Sequence, residues 1–336
     1  MSIQISVIGL GQIGASIGLA LKEHTDIVSR TGFDRNPEIA RQAERLGAFD
    51  RITTSLASAI RGADLVILSL PIDQIRETLQ VVAMNMKAGS VVMDTGPVKE
   101  TVTTWVNELL PQDRYYIGLT PVINPAYLHT PESGVEAARA DLFNAGLMAI
   151  VTPPNTSSDA VKLAGDLTRI LGASALFIDP LEIDSLMAST HLLPQLIAAA
   201  LTNATTDQPS WREGRKVAGR AYAEATGPIA HLGDAHSLRT AVFLNRDNVL
   251  RQLDSVIAAL NALRHNIEQE NAEALEAQLT RARQNRERWI NEREAADWSA
   301  LENPPAMEMP RSKGILSRLA GIQRKPKSDR ERSGND

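Results

Sequence analysis

The sequence contains no cysteine among its 336 residues. Disulfide scaffolds, thiolate metal sites and a cysteine nucleophile are therefore excluded. Aromatic side chains make up only 4% of the chain, so its cores must be built from alanine, leucine, isoleucine and valine. No apolar run approaches the ~18 residues of a membrane-spanning helix, and the N-terminal stretch lacks the features of a signal peptide. These absences predict a cytoplasmic protein without stable membrane association.

An excess of positive charge is also missing. The formal net charge is -5, which gives no electrostatic support for binding nucleic acid. Hydrophobic residues make up 43% and charged residues 22% of the chain, as is typical of globular proteins. A length of 336 residues exceeds one ordinary domain and fits two or three.

The first half of the chain predicts a doubly wound α/β sheet, because strand-like apolar runs alternate with helical patterns. These runs lie at 3–8, 63–71, 90–96 and 146–153. From about Leu181 onward, long segments with apolar residues three and four apart follow instead. We therefore predict a doubly wound α/β domain over 1–180 and an all-α helical domain over 181–300. A linker and a basic, disordered tail are predicted over 301–336.

A glycine-rich turn follows the first predicted strand and opens a helix. Its residues are Gly9, Leu10, Gly11, Gln12, Ile13 and Gly14. In this setting Gly9 permits the tight turn, Gly11 lets the backbone approach a pyrophosphate, and Gly14 lets the helix pack closely on the strand. The free N–H groups at the start of the helix would hold the phosphate. The turn therefore predicts a dinucleotide site.

Residues that end the later strands are expected to complete this site, because the carboxyl ends of strands form the ligand crevice. A carboxylate at Asp34 accepts hydrogen bonds from the ribose hydroxyls and repels a 2′-phosphate, which favours NAD over NADP. Arg35 could instead stack on adenine or bind a 2′-phosphate, so NADP stays possible. Leu70, Pro71 and Thr95 should flank the nicotinamide half.

One segment of the helical half carries a continuous apolar stripe. Its residues are Val249, Leu253, Val256, Ile257, Leu260 and Leu263. A stripe of this kind suits helix packing within a subunit or across a homodimer.

Several stretches of the chain resemble the prephenate and arogenate dehydrogenases of tyrosine biosynthesis. They read VIGLGQIGASIGLALKE, GFDRNPE, DLVILSLPID, VVMDTGPVKETV, SGVEAARADLF, DSLMASTHLLPQLIAAAL and FLNRDNVLRQLD. The resemblance covers roughly residues 3–290. It implies a Rossmann-type domain followed by a helical dimerisation domain. It also implies oxidative decarboxylation of a cyclohexadienyl carboxylate, with hydride transfer to NAD or NADP.

The chain departs from the family's pattern in the regions where the family has its catalytic residues. Pro97 replaces a serine, and Thr120 stands where the family has its catalytic histidine. The family's Ser-His-Leu-Pro-His becomes HLLPQ at 191–195, and Ala223 stands where a substrate-binding arginine is expected. An extra stretch, INPAYLHTPE, follows Pro121.

Other side chains are candidates for the missing roles. The predicted catalytic residues are His191, one position from the family's histidine, and Thr120, whose hydroxyl is a poor general base. Gln195 and Arg220 are predicted to bind the substrate, since arginine can hold a carboxylate with two hydrogen bonds. His129 in the extra stretch is an alternative base.

Three hypotheses remain open. The chain is a dehydrogenase of this family, a divergent dehydrogenase of another small carboxylate that uses His191 or His129, or a catalytically silent NAD-binding homologue. No metal site is predicted, because His231 and His236 lack a clear third ligand.

Overall fold

The computed structural model describes residues 2–130, 132–154, 156–230 and 235–296. The linker and tail predicted over 301–336, and His231, lie outside the described residues. The described chain forms a sheet domain followed by an all-helical domain, which confirms the predicted fold class. Within these ranges, no helix is both long and apolar enough to cross a membrane.

A single sheet forms the centre of the first domain. Its strands are β1 (Ile3–Ile8), β2 (Val28–Phe33), β3 (Arg51–Ile52), β4 (Leu65–Leu68), β5 (Val91–Asp94), β6 (Tyr115–Val122), β7 (Leu147–Val151) and β8 (Ser174–Phe177). Their order across the sheet is β3-β2-β1-β4-β5-β6-β7-β8. The first six follow the order of a doubly wound dinucleotide-binding sheet, with the reversal between β1 and β4.

Two of these strands add to what the sequence predicts. Neither β3 nor β6 is among the predicted strands. The run predicted at 146–153 forms β7, but it pairs antiparallel to β6, with Gly118 opposite Val151. All the other strand pairs in the described sheet are parallel.

The sheet is covered by helices on both faces, so β4 and β5 are buried throughout. One face carries α1 (Gln12–Ala20), α2 (Pro37–Arg45) and α6 (Ser158–Ile170), and the other carries α3 (Leu56–Ile60), α4 (Ile72–Asn85) and α5 (Glu100–Leu109). Successive side chains of a strand point to opposite faces, so Leu65 and Ile67 join one apolar layer while Val66 and Leu68 join the other.

The second domain consists of helices alone. They are α7 (Pro180–Met187), a π-helix (Ala188–Leu192), α8 (Leu193–Thr206), α9 (Trp211–Val217), α10 (Arg220–Ala230), α11 (Ala235–Leu244), α12 (Arg246–Glu268) and α13 (Ala272–Ala295). Asn245 separates α11 from α12. The side-chain Nδ2 of Asn245 donates a hydrogen bond to the backbone carbonyl oxygen of Asp184 at 2.7 Å.

Asp184 joins the two domains. Its carboxylate accepts hydrogen bonds from the backbone N–H groups of Lys99 at 2.6 Å and Glu100 at 3.1 Å. Such N–H groups at the start of a helix have no partner within the helix, so a residue of α7 satisfies the first turn of α5. Burial raises the pKa of the Asp184 carboxyl to about 6, although the two backbone donors and the Lys99 ammonium act in the opposite direction.

This raised pKa predicts a pH-dependent stability. Folding favours the protonated form of Asp184, so the stabilisation is present at low pH and is lost as the pH rises through about 6. Between about pH 4 and pH 7, the free energy of unfolding should fall by up to about 3 kcal/mol relative to Asp184→Asn. Urea unfolding of both proteins measures this difference, and a difference that stays constant with pH would contradict the assignment.

Candidate active site

A cleft of about 530 Å³ lies at the carboxyl ends of β1, β2 and β4. It occupies the point at which the strand order reverses, where doubly wound sheets bind ligands. Six of the predicted cofactor-binding residues line it: Gly9, Gly11, Asp34, Arg35, Leu70 and Pro71. The structure therefore brings together residues that lie more than 60 positions apart in the chain.

The three glycines of the turn have different constraints. Gly9 has a φ of +90°, and a Cβ there would lie 2.2 Å from the carbonyl oxygen of Ser69. A Cβ on Gly14 would lie 1.9 Å from the carbonyl oxygen of Gly9. A Cβ on Gly11, in contrast, would meet no atom within 4 Å. Gly9 and Gly14 are thus required for packing, whereas Gly11 leaves open space.

That open space lies in front of the first turn of α1. Gly11 is the N-cap residue of α1 and provides no side-chain cap, and the first turn carries no acidic residue. Helix N-termini of this kind bind phosphate groups through free N–H groups and the helix dipole. The open space at Gly11 and the first turn of α1 can therefore accommodate the pyrophosphate of a dinucleotide.

Asp34 connects the end of β2 to the glycine turn. Its Oδ2 accepts a hydrogen bond from the N–H of Leu10 at 2.8 Å, and its Oδ1 accepts one from Asn36 at 2.8 Å. The side chain of Leu10 is buried, so this residue supports the turn through its backbone. Each carboxylate oxygen retains a second lone pair, which a ribose hydroxyl could use.

The other predicted cofactor-binding residues do not line this cleft. Gln12 and Ile13 lie in the first turn of α1, and the Gln12 side-chain amide donates to the carbonyl oxygen of Ala137 at 3.4 Å. The hydroxyl of Thr95 lies 3.5 Å from the carbonyl oxygen of Leu68, at the end of the neighbouring strand. Their contact with a cofactor stays a prediction.

A buried ionic cluster lies beside the cleft, between β5 and β6. The ammonium of Lys99 lies 2.7 Å from Oδ2 of Asp94, and the hydroxyl of Tyr116 donates to Oδ1 of Asp94 at 2.6 Å. Burial lowers the pKa of Lys99, and burial together with Asp94 raises the pKa of Tyr116 well above its usual range. No role was predicted for this cluster, although Asp94 and Lys99 both lie in one of the stretches that resemble the family.

Thr120 lies on the same face of β6 as Tyr116 and Gly118, because side chains two apart on a strand share a face. It is 3% exposed, and among the described residues its hydroxyl has no hydrogen-bond partner. A buried unpaired hydroxyl is unusual in a folded protein and is satisfied when a polar ligand atom reaches it.

His191 lies in the π-helix between α7 and α8. Two other residues of that helix, Ala188 and Leu192, are buried in the apolar layer that also contains Tyr116. More than a third of the surface of His191 is open to solvent, and desolvation of the buried part lowers the pKa of its imidazole below the usual 6.5. The imidazole is therefore neutral near pH 7, as a proton acceptor must be. Single turns of π-helix are frequent at functional sites.

Comparison with known proteins assigns both halves of the chain. Residues 17–176 match the nucleotide-binding domain of prephenate dehydrogenase, and residues 179–281 match its dimerization domain. The chain belongs to the prephenate dehydrogenase family. The first match begins after the glycine turn, so the assignment of Gly9, Gly11 and Gly14 depends on the geometry given above.

Curated relatives support this membership. The prephenate dehydrogenase of Bacillus subtilis is 27% identical over 273 residues, which cover 81% of this chain and 72% of the relative. The cyclohexadienyl dehydrogenase of Zymomonas mobilis is 25% identical over 275 residues, which cover 81% of this chain and 90% of the relative.

Solved structures show the same fold. Prephenate dehydrogenase from A. aeolicus, in complex with hydroxyphenyl propionate and NAD+, has a TM-score of 0.75 at 23% identity, covering 86% of this chain and 98% of that one. Arogenate dehydrogenase from Synechocystis has a TM-score of 0.67 at 20% identity, and the match covers 85% of this chain and 100% of that one.

The predicted substrate-binding residues of this family member lie on the helical domain. The Gln195 side-chain amide donates to the carbonyl oxygen of His191 at 2.9 Å, one turn away. The Arg220 side chain is 91% exposed and forms an ion pair with Glu224 at 2.7 Å. That guanidinium holds the pKa of Glu224 below its usual range, with smaller effects from Arg286 and His129. A role for Gln195 and Arg220 in substrate binding stays a prediction.

Among the described residues, no group of three or more histidine, aspartate and glutamate side chains is arranged to hold a metal ion. The ring Nδ1 of His236, one of the two histidines considered above, lies 2.9 Å from the Arg239 guanidinium.

The geometry of the glycine turn predicts opposite effects for two alanine variants. Gly11→Ala should fold normally, because its Cβ has free space, but should weaken NAD binding about tenfold or more by occupying the phosphate site. Gly14→Ala should instead lower the melting temperature, because its Cβ overlaps the Gly9 carbonyl. Thermal melting and calorimetric titration with NAD measure both effects. Unchanged NAD affinity in a folded Gly11→Ala protein would contradict this site.

Proposed function

We propose that this chain is an NAD-dependent dehydrogenase that oxidatively decarboxylates a cyclohexadienyl acid of the prephenate or arogenate type. The observation that carries the proposal is the open helix N-terminus at Gly11 beside the Asp34 carboxylate. The family membership of both domains supports it. The similar proteins named above are a prephenate dehydrogenase, a cyclohexadienyl dehydrogenase and an arogenate dehydrogenase, and all three names refer to acids of this type.

NAD fits the cleft better than NADP. The Asp34 carboxylate would accept hydrogen bonds from the ribose hydroxyls and repel the 2′-phosphate of NADP. Arg35 is exposed at the same cleft and could reduce that repulsion. When bound, the nicotinamide supplies the acceptor for a hydride from the substrate ring.

The chemistry left to the protein is the handling of one proton. The substrate loses a hydride from the ring carbon that bears its hydroxyl, and the hydroxyl proton passes to a base. Cleavage of the bond to the ring carboxylate then releases carbon dioxide, and its electron pair makes the ring aromatic. The ring oxygen takes the proton back from the base. Orientation of the reacting groups supplies most of the remaining rate enhancement.

We assign the base to His191. Its imidazole is exposed and neutral near pH 7, whereas the buried Thr120 hydroxyl has too little proton affinity for this task. The Thr120 hydroxyl would instead donate a hydrogen bond to the substrate. Gln195, one turn after His191, would contribute a polar contact with the substrate.

The direct test is the absorbance of NADH at increasing concentrations of prephenate and of arogenate, with NAD and NADP compared. We expect turnover with one of these acids and a preference for NAD. Confirmed NAD binding with no turnover of either acid would contradict the proposal. That result would favour the catalytically silent homologue or a dehydrogenase of another small carboxylate.

Replacement of the base gives a sharper prediction. His191→Asn should lower kcat about 100-fold or more, because a general base contributes about 10²–10⁴ in rate. NAD affinity should not change. In the wild type, kcat should be lost as the pH falls through the pKa of His191, which lies below 6.5. His265→Asn, on the exposed surface of α12, is the matched control. A His191→Asn enzyme with wild-type kcat would exclude this base.

We also propose a cytoplasmic homodimer formed through the helical domain. Val249, at the start of the predicted apolar stripe, is buried within the chain. Farther along α12, Ile257, Leu260 and Ile267 are each more than half exposed. Apolar residues clustered in this way on a surface mark interaction sites, and the match to a dimerization domain covers them.

A charge placed on this surface should separate the subunits. Leu260→Glu should shift the protein from dimer to monomer in sedimentation equilibrium, because a buried carboxylate without a partner is strongly disfavoured. Ser255→Glu, on the opposite side of the same helix, should remain dimeric. Identical masses for the two variants would place the interface elsewhere.

A further inference from the structure

The loop that follows β6 contacts both domains of the chain. We call residues 123–130 the post-β6 loop. Because β6 runs parallel to β5, the loop leaves the sheet at the edge that also carries the glycine turn. It begins three residues after Thr120, and it belongs to the stretch INPAYLHTPE, which we predict to be an insertion relative to the family's pattern.

The sheet domain holds one side of the post-β6 loop. The backbone N–H of Asn124 donates to the carbonyl oxygen of Leu142 at 2.7 Å. The hydroxyl of Tyr127 lies 2.8 Å from each carboxylate oxygen of Asp141, and the Arg139 guanidinium lies over the Tyr127 ring at 5.6 Å from its centroid. These contacts fix the loop relative to residues 139–142, and the N–H of Arg139 in turn donates to the Ser16 hydroxyl of α1.

The helical domain holds the other side through Arg293. The Nη2 of Arg293 donates to the carbonyl oxygen of Ile123 at 2.6 Å, across 170 positions of sequence. Arg293 is 5% exposed, and desolvation lowers the pKa of its guanidinium. The same helix, α13, contacts the 3-10 turn Pro125–Tyr127. The family match ends at residue 281, so Arg293 lies beyond it.

We propose that Arg293 is a positioning residue that fixes the post-β6 loop as a wall of the substrate site. Arg293 lies beyond the family match, and it contacts the post-β6 loop across the two domains. A charged, buried donor makes a strong hydrogen bond to a carbonyl. Its loss would free Ile123 and the loop, and would weaken substrate binding while leaving His191 in place. This inference rests on the proposed function.

The test compares Arg293→Ala with Arg293→Lys, and uses Arg288→Ala, an exposed residue of the same helix, as the control. Calorimetry measures binding of 3-(4-hydroxyphenyl)propionate, an aromatic carboxylate, to the NAD complex of each protein. Arg293→Ala should bind this probe about tenfold more weakly, with a similar rise in KM for the substrate, because one charged hydrogen bond is lost. The kcat and the NAD affinity should stay within about twofold of the wild type. Arg293→Lys should restore most of the affinity.

Hydrogen exchange of residues 123–130 provides a readout that needs no turnover. Exchange in this loop should be faster in Arg293→Ala and should return toward the wild-type rate in Arg293→Lys. Wild-type probe affinity in Arg293→Ala would overturn the proposal, as would an equal loss of NAD and probe affinity. If the wild type turns over neither acid, the proposed function fails, but the exchange rates still decide whether Arg293 fixes the loop.

Discussion

The rest of the site depends on the ion pair between Lys99 and Asp94. Neither side chain has appreciable exposed surface, and buried charges are stable only when they are paired and hydrogen-bonded. Asp94 meets this condition through Lys99, the hydroxyl of Tyr116 and the N–H of Gly96. The cluster fixes β5 against β6. It also explains Gly118, since a Cβ there would lie 2.9 Å from Cδ of Lys99.

The same segment connects the two domains. The backbone N–H of Lys99 donates to Asp184, whose own carbonyl oxygen accepts from Asn245. One residue of α7 thus satisfies the first turn of α5 and holds the junction of α11 and α12. The π-helix with His191 continues directly from α7, so its position relative to β6 and Thr120 follows from this joint. Arg293 provides a second connection, at the carboxyl end of β6.

The sequence predicts the parts of this structure that depend on local patterns. The glycine spacing identifies the turn and α1, and the apolar runs identify β1, β4, β5 and β7. An apolar run does not encode its direction, so the antiparallel pairing of β7 was not predicted. Asp184 resembles any polar residue of an amphipathic helix, because its burial depends on Lys99, 85 positions away. The roles of Tyr116 and Arg293 depend on equally distant partners and could not be predicted.

We propose that one site lies between the glycine turn of the sheet domain and the π-helix of the helical domain. A crystal structure of the complex with NAD and 3-(4-hydroxyphenyl)propionate tests it most directly. We expect the pyrophosphate at the N–H groups that follow Gly11. We also expect the phenol oxygen within hydrogen-bond distance of both the His191 imidazole and the Thr120 hydroxyl. A phenol bound away from both side chains would contradict it.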